Sequence, residues 1–172
     1  MHLFLKMNDK ITIIGLGYVG LPLAIEFSKI YQVVGFDIDK SRIKELFSGD
    51  ERTKEVSPLV INKVIKTKEE TLSNFRGLFL SSDSEDIRDS NIYIITVPTP
   101  IDSNRHPDLS YLLSATEIVA QVLKKGDLVV YESTVYPGCT EEDCVPVLEK
   151  VSRLVYNKDF FCGYSPERVS PG

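Results

Sequence analysis

A doubly wound α/β domain, a mostly parallel sheet with helices on both faces, is predicted by three features of the sequence. Apolar strand-like runs alternate with amphipathic helical stretches along its length. The first run opens directly onto a glycine-rich turn. The second ends in an acid, twenty residues past the middle glycine of that turn.

The first strand is Ile11-Thr12-Ile13-Ile14, followed at once by Gly15-Leu16-Gly17-Tyr18-Val19-Gly20 and an amphipathic helix. Each glycine has a physical job: Gly15 lets the chain turn out of the strand, Gly17 has no Cβ to hold a pyrophosphate off the backbone, and Gly20 brings the helix close to the strand. The helix N-terminus then offers unpaired N–H groups to phosphate. Gln32 to Phe36 is the second strand, and Asp37 at its end can accept hydrogen bonds from an adenosine ribose while repelling a 2′-phosphate. These features together read as a Rossmann-type unit that takes NAD in preference to NADP. Asp39 is expected as the N-cap of the next helix, and Arg42 in that helix's first turn either flanks the adenine or belongs to a solvated helix surface.

Alternation continues to the end. Ser41 to Phe47 reads as a helix ending near Gly49, and Leu59 to Lys66 as another with apolar residues at Leu59, Val60, Val64 and Ile65, the stretch between them being a polar, mobile loop. Leu78-Phe79-Leu80 is a short buried strand and Asp83 to Arg88 a brief helix. Ile92 to Val97 has the unbroken apolar character of a central parallel strand. A polar, proline-rich loop from Pro98 to Asp108 follows at its carboxyl end, where ligands bind in open α/β sheets. Tyr111 to Lys124 is an amphipathic helix burying Leu112, Leu113, Ile118, Val119, Val122 and Leu123. Leu128 to Tyr131 is a strand, Thr140 to Val151 a helix, and Phe160 to Tyr164 a last strand.

At 172 residues and 42% hydrophobic, the chain has enough material for one domain that buries about 70% of its unfolded surface. Residues 1–9 are expected as a poorly ordered leader, with Met7 a plausible start, and residues 10–172 as the domain. A net charge of −5 without a Lys/Arg cluster argues against nucleic acid or an anionic membrane as partner. No apolar run approaches the roughly 20 residues that span a bilayer, and the leader is too short for a signal-peptide core, so a cytoplasmic protein is expected. Cys139, Cys144 and Cys162 are odd in number and lack a C-x-x-C pair, which suggests free thiols and no metal site.

Two further blocks stand at strand ends. The hydroxyls of Ser133-Thr134 can donate to a cofactor, a substrate or a water, or can simply stabilise a strand-to-helix turn. In Ser165-Pro166-Glu167-Arg168-Val169, Glu167 can serve as a general base and Arg168 can meet a phosphate or sugar, or both form an exposed pair in a terminal tail.

Four ordered blocks, Gly15 to Pro22, Val97 to Pro100, Glu132 to Gly138 and Gly163 to Gly172, resemble in order and spacing the amino-terminal half of the UDP-glucose/GDP-mannose dehydrogenases. The resemblance implies a longer enzyme of surface-polysaccharide precursor synthesis, oxidising the C6 hydroxyl of a nucleotide sugar to a carboxylate with two NAD, as a homodimer joined through a region this chain lacks. Ser-Pro-Glu-Arg-Val is similar to the UDP-N-acetylhexosamine branch (N-acetylglucosamine, N-acetylgalactosamine and N-acetylmannosamine). Pro171 stands where the UDP-glucose branch carries a second Glu, so no role is carried over to it. By resemblance Tyr18 and Val19 sit at the pyrophosphate through their backbone, Asp37 at the ribose, and Thr99 and Thr134 along the cofactor. Thr134 also positions a catalytic water, Glu167 is the general base for hydrolysis of an acyl-enzyme, and Arg168 and Val169 contact the UDP-sugar substrate. The family's nucleophilic Cys belongs to a later domain and matches none of the three cysteines here. The chain alone is therefore expected to bind NAD weakly and not to turn over.

The residues leave two other readings open. One is a stand-alone NAD-sensing module of the kind that gates potassium transport, and the other is the cofactor domain of a different two-domain NAD dehydrogenase. Neither has an evident reason to keep the Ser-Thr-Val-Tyr-Pro-Gly and Ser-Pro-Glu-Arg-Val blocks.

Overall fold

In the computed structural model, residues 9–74, 76–100 and 107–165 are described. Glu167, Arg168, Val169, the leader before Asp9 and the centre of the proline-rich loop lie outside them. Among the described residues, six strands form one sheet, β1 (Lys10–Ile14), β2 (Gln32–Phe36), β3 (Gly77–Ser81), β4 (Ile92–Ile95), β5 (Leu128–Tyr131) and β6 (Phe161–Tyr164). Their spatial order is β3-β2-β1-β4-β5-β6, and every pair is parallel. This is the doubly wound order, with its reversal of direction between β1 and β4.

Helices α1 (Gly20–Ser28), α2 (Lys40–Ser48) and α3 (Pro58–Val64) belong to one face, and α5 (Ser110–Val122) and α6 (Val145–Ser152) to the other. Alternation along β1 explains how one strand serves both: Ile11 and Ile13 join Leu21, Ile25, Ile43 and Leu46, whereas Ile14 joins Leu112, Val119 and Leu148. Thr12 is buried as well, its hydroxyl 2.7 Å from that of Ser90.

Helix boundaries follow local chemistry. Asp39 caps α2 by accepting from Ser41 N (2.8 Å), and Gly49 closes it in the left-handed region at φ 77°. Ser41 holds the Asp39 carboxyl down, at about 2.

Five features differ from the sequence reading. The loop of residues 50–57, expected to be mobile, is organised around Glu51, whose carboxylate accepts from Arg42, from the N–H and hydroxyl of Thr53 and from Glu55 N. Helix α3 buries Ile61 and leaves Leu59 largely exposed. A polar helix, α4 (Lys68–Asn74), lies ahead of β3 where no apolar periodicity announced it. Leu113 and Ile118 are only half-buried, the α5 core face being completed by Ala115, Thr116 and Ala120. The helix expected from Thr140 begins as a π-helical turn, Thr140–Cys144, closed by Val145 N onto Thr140 O. Pro146 explains that turn, because it has no N–H to offer Glu142 O and its ring would crowd that carbonyl in a regular α-turn.

Candidate functional site

Because all six strands are parallel, the segments leaving them collect at one edge of the sheet. The loops after β1, β2, β4 and β5 surround a cleft of about 750 Å³ at the point where strand order reverses. Of the predicted site residues Gly15, Gly17, Tyr18, Val19, Asp37, Thr99 and Thr134 line it; Gly20 and Arg42 do not.

The glycine loop has the geometry its spacing implied. Gly15 turns at φ 96°, a conformation L side chains rarely adopt. Around Gly17 an added Cβ would meet nothing within 4 Å, so the space there is open to a ligand. At Gly20 a Cβ would stand 1.9 Å from Gly15 O, so the start of α1 is pressed onto the turn. Leu21 N bonds to Gly17 O (3.1 Å), and the N–H groups ahead of it have no intrahelical acceptor. They form the positive end of α1, aimed at the cleft.

Asp37 is oriented by protein donors. Its Oδ2 accepts from Leu16 N and its Oδ1 from Asp39 N, both at 2.9 Å. An ionised carboxylate has about four lone-pair sites, so two remain for a vicinal diol. Ile38, largely exposed, adds an apolar wall beside it.

Arg42 departs from both sequence readings. It is neither at the cleft nor solvated: the residue is 4% exposed, Nε donates to Leu16 O (2.9 Å) and Nη2 to Glu51 Oε1 (2.6 Å). Its Nη1 makes no hydrogen bond and lies 3.8 Å from Glu45 Oε2. The guanidinium braces the glycine loop from behind.

On the far wall the hydroxyls tie loops together. Thr99 Oγ1 donates to Thr134 O (2.7 Å) and Ser133 Oγ to Val97 O (3.0 Å), joining the segments after β4 and β5. Ser165 at the end of β6 donates through Oγ to Glu132 Oε1 (3.0 Å) and through N to Tyr131 O (2.9 Å). The start of the Ser-Pro-Glu-Arg-Val block is thereby fastened to the cleft-lining Glu132. Ile118 reaches the cleft from α5, which accounts for its partial burial.

Sequence reasoning missed Thr96 and Glu132. Thr96 Oγ1 donates to Ile14 O (3.0 Å) and Gly15 O (2.8 Å), fixing the exit of β1 from the neighbouring strand. Its position directly after β4, the strand beside β1, was the available signal.

The thiols are unsuited to nucleophilic work. Burial pushes Cys139 and Cys162 up to about 12, and Cys144 above its ordinary value, so the thiolate that reacts is scarce at neutral pH. Among the described residues no group of three His, Cys, Asp or Glu side chains could hold a metal ion, and no helix is long and apolar enough to cross a membrane.

Comparison with known proteins places this geometry in context. Residues 9–172 match the family model described as the UDP-glucose/GDP-mannose dehydrogenase family, NAD binding domain. The chain is 55% identical over 163 residues to a UDP-N-acetyl-D-glucosamine 6-dehydrogenase of Salmonella typhi, covering 95% of this chain and 36% of the relative. It is 53% identical over 167 residues to the enzyme of the same name in Pseudomonas aeruginosa, covering 96% and 37%. Among solved structures, the UDP-D-ManNAc dehydrogenase of Pyrococcus horikoshii superposes with a TM-score of 0.79 at 40% identity, over 95% of this chain and 37% of that one. The chain thus spans little more than a third of the length of these relatives.

Proposed function

The chain belongs to the UDP-glucose/GDP-mannose dehydrogenase family as its NAD-binding domain, and from that premise we propose that it is the cofactor-holding part of a UDP-N-acetylhexosamine 6-dehydrogenase. One observation carries the reading. A single cleft has the glycine loop and Asp37 on one wall and Glu132, Ser133 and Thr134 on the other, so a dinucleotide laid from Asp37 across the α1 N-terminus ends beside the Ser-Thr turn.

The residues divide the work. Asp37 takes the adenosine ribose hydroxyls, and its charge excludes a 2′-phosphate. Backbone N–H groups of Gly17, Tyr18 and Val19 take the pyrophosphate, aided by the α1 dipole. Bound NAD supplies the hydride acceptor. Thr134 orients the reacting end and a water, and Thr99 keeps the Thr134 carbonyl in place through its own hydroxyl. Glu167 is assigned the general base, and Arg168 and Val169 the sugar-nucleotide contacts, on resemblance to the family. Oxidising a primary alcohol to a carboxylate removes two hydrides and takes one oxygen from water, which requires two NAD in turn; on resemblance to the family, a Cys holds the aldehyde covalently between them. Cys139 and Cys144 are buried and Cys162 is half-buried, and desolvation pushes all three thiols up, so they do not provide that hold. Thiols kept as thiols suit the reducing cytoplasm, where we place the reaction.

The test compares the intact gene product with the 172-residue chain, each given NAD and a panel of UDP-N-acetylhexosamines. The reading expects NADH from the intact protein, two per sugar consumed, and none from the chain alone. NAD binding by the intact protein without NADH from any UDP-sugar would turn the reading toward a sensor. NADH from the isolated chain would contradict the assignment of its thiols.

A further inference from the structure

We propose that the buried Arg42–Glu51 pair is a positioning device that sets the glycine loop for a dinucleotide pyrophosphate. The inference rests on the NAD reading of the cleft and concerns how that site is kept in shape.

The argument turns on two peptide planes. In a trans peptide the C=O and the following N–H point in opposite directions. The peptide joining Gly15 to Leu16 is held at both ends: its C=O accepts from Thr96 Oγ1 (2.8 Å) and its N–H donates to Asp37 Oδ2 (2.9 Å). The next peptide, Leu16 to Gly17, is held at its C=O by Arg42 Nε (2.9 Å). Arg42 pulls that oxygen back toward α2, so the Gly17 N–H is directed the other way, to the cleft that Gly17 lines. Both flanking peptides are thus oriented before any ligand arrives, and the second depends on Arg42.

Arg42 in turn depends on Glu51. A guanidinium at 4% exposure loses most of its hydration, a large cost that one neutral carbonyl does not offset. Glu51 Oε1 at 2.6 Å supplies the countercharge, its side chain 1% exposed. Three further donors, Thr53 N and Oγ1 and Glu55 N, hold the carboxylate. Only a planar fork presents Nε and Nη2 to two acceptors at a fixed angle; an ammonium cannot serve Leu16 O and Glu51 in that way. Neither Arg42 nor Glu51 lines the cleft, whereas Leu16, which Arg42 holds, and the adjoining Gly17 do.

The test titrates the chain and its Glu51→Gln and Arg42→Lys variants with NADH, followed by fluorescence well below each melting temperature, with ADP and adenosine as displacing ligands. Positioning predicts that both variants bind NADH and ADP roughly tenfold more weakly, the scale of one lost charge-assisted hydrogen bond, and bind adenosine as before. Arg42→Lys keeps the buried charge and decides the matter where Glu51→Gln fails to fold. Unchanged NADH binding by either variant would overturn the proposal, and so would tighter binding by Glu51→Gln, the result expected of an arginine freed from Glu51 to reach the cofactor. Equal losses for adenosine and ADP would overturn it too, as general damage. Absence of NADH binding by the unsubstituted chain would instead remove the cofactor reading on which the proposal stands.

Discussion

The two walls of the cleft are built differently. On the β1–α1–β2 side, the glycine loop is fixed by buried or half-buried side chains from three other segments, Thr96, Asp37 and Arg42, with a buried ion pair behind it. On the β4–β5–β6 side, the loops are joined by hydroxyl bonds from Thr99 and Ser165, at or near the surface, and by one from the buried Ser133. Buried polar networks resist rearrangement because breaking one leaves an unsatisfied group in a low-dielectric setting, whereas surface bonds exchange readily with water. Under our reading the first wall is a preformed dinucleotide site. The second is a frame whose chemistry the rest of the enzyme completes under our reading.

Breaking the first wall should be costly. The largest effect is expected at Gly20→Ala, where the new Cβ stands 1.9 Å from Gly15 O and 2.4 Å from Thr96 Oγ1. The contact is with backbone and cannot be relieved by a rotamer change, so a loss of about 3 kcal/mol is expected together with loss of NADH binding, read by denaturant unfolding and titration.

Acid probes the buried pair next. Burial pushes the Glu51 carboxyl up, but the donors from Arg42 and Thr53 outweigh it and hold it at about 2, below its ordinary 4.5. A carboxyl depressed on folding stabilises the fold fully above its unfolded value and loses that contribution as pH falls through the folded one. Stability should therefore fall between about 4.5 and about 2, by about 3 kcal/mol as the buried pair is broken. Unfolding curves of an Arg42→Leu/Glu51→Leu double variant should be flatter across that window; an equally steep fall would assign the acid sensitivity to other groups.

Sharpening the comparison calls for smaller changes. Asp37→Asn keeps one acceptor oxygen but removes the charge, so NAD should bind roughly tenfold more weakly and discrimination against NADP should shrink. Calorimetric titration with both cofactors checks this. On the second wall, Thr99→Val removes an exposed hydroxyl bond to Thr134 O. The melting temperature should barely move, because such a bond contributes about 1 kcal/mol or less.

How far these features were legible depends on how local their causes are. The glycine loop, its strand, Asp37 and the Asp39 cap were readable because each is set by residues within a turn or two of one another. Arg42 was not, since its burial follows from Glu51, nine residues on in a loop whose path no periodicity specifies. Helix α4 was missed because Lys68 to Asn74 has no apolar stripe, and the π-helical turn because Pro146 acts backward on the turn before it. Ile118 carried the spacing of a core residue and turned out to line the cleft, a distinction that hydrophobicity alone does not draw.

The central claim, that this chain holds a preformed dinucleotide site on its glycine loop, is tested most directly by titrating the chain and its Gly17→Ala variant with NADH. An added Cβ at Gly17 meets no protein atom within 4 Å, so the fold should persist while the methyl group occupies the space meant for the pyrophosphate. The account predicts saturable binding by the unsubstituted chain and none by a folded Gly17→Ala. Equal binding by the two would contradict it.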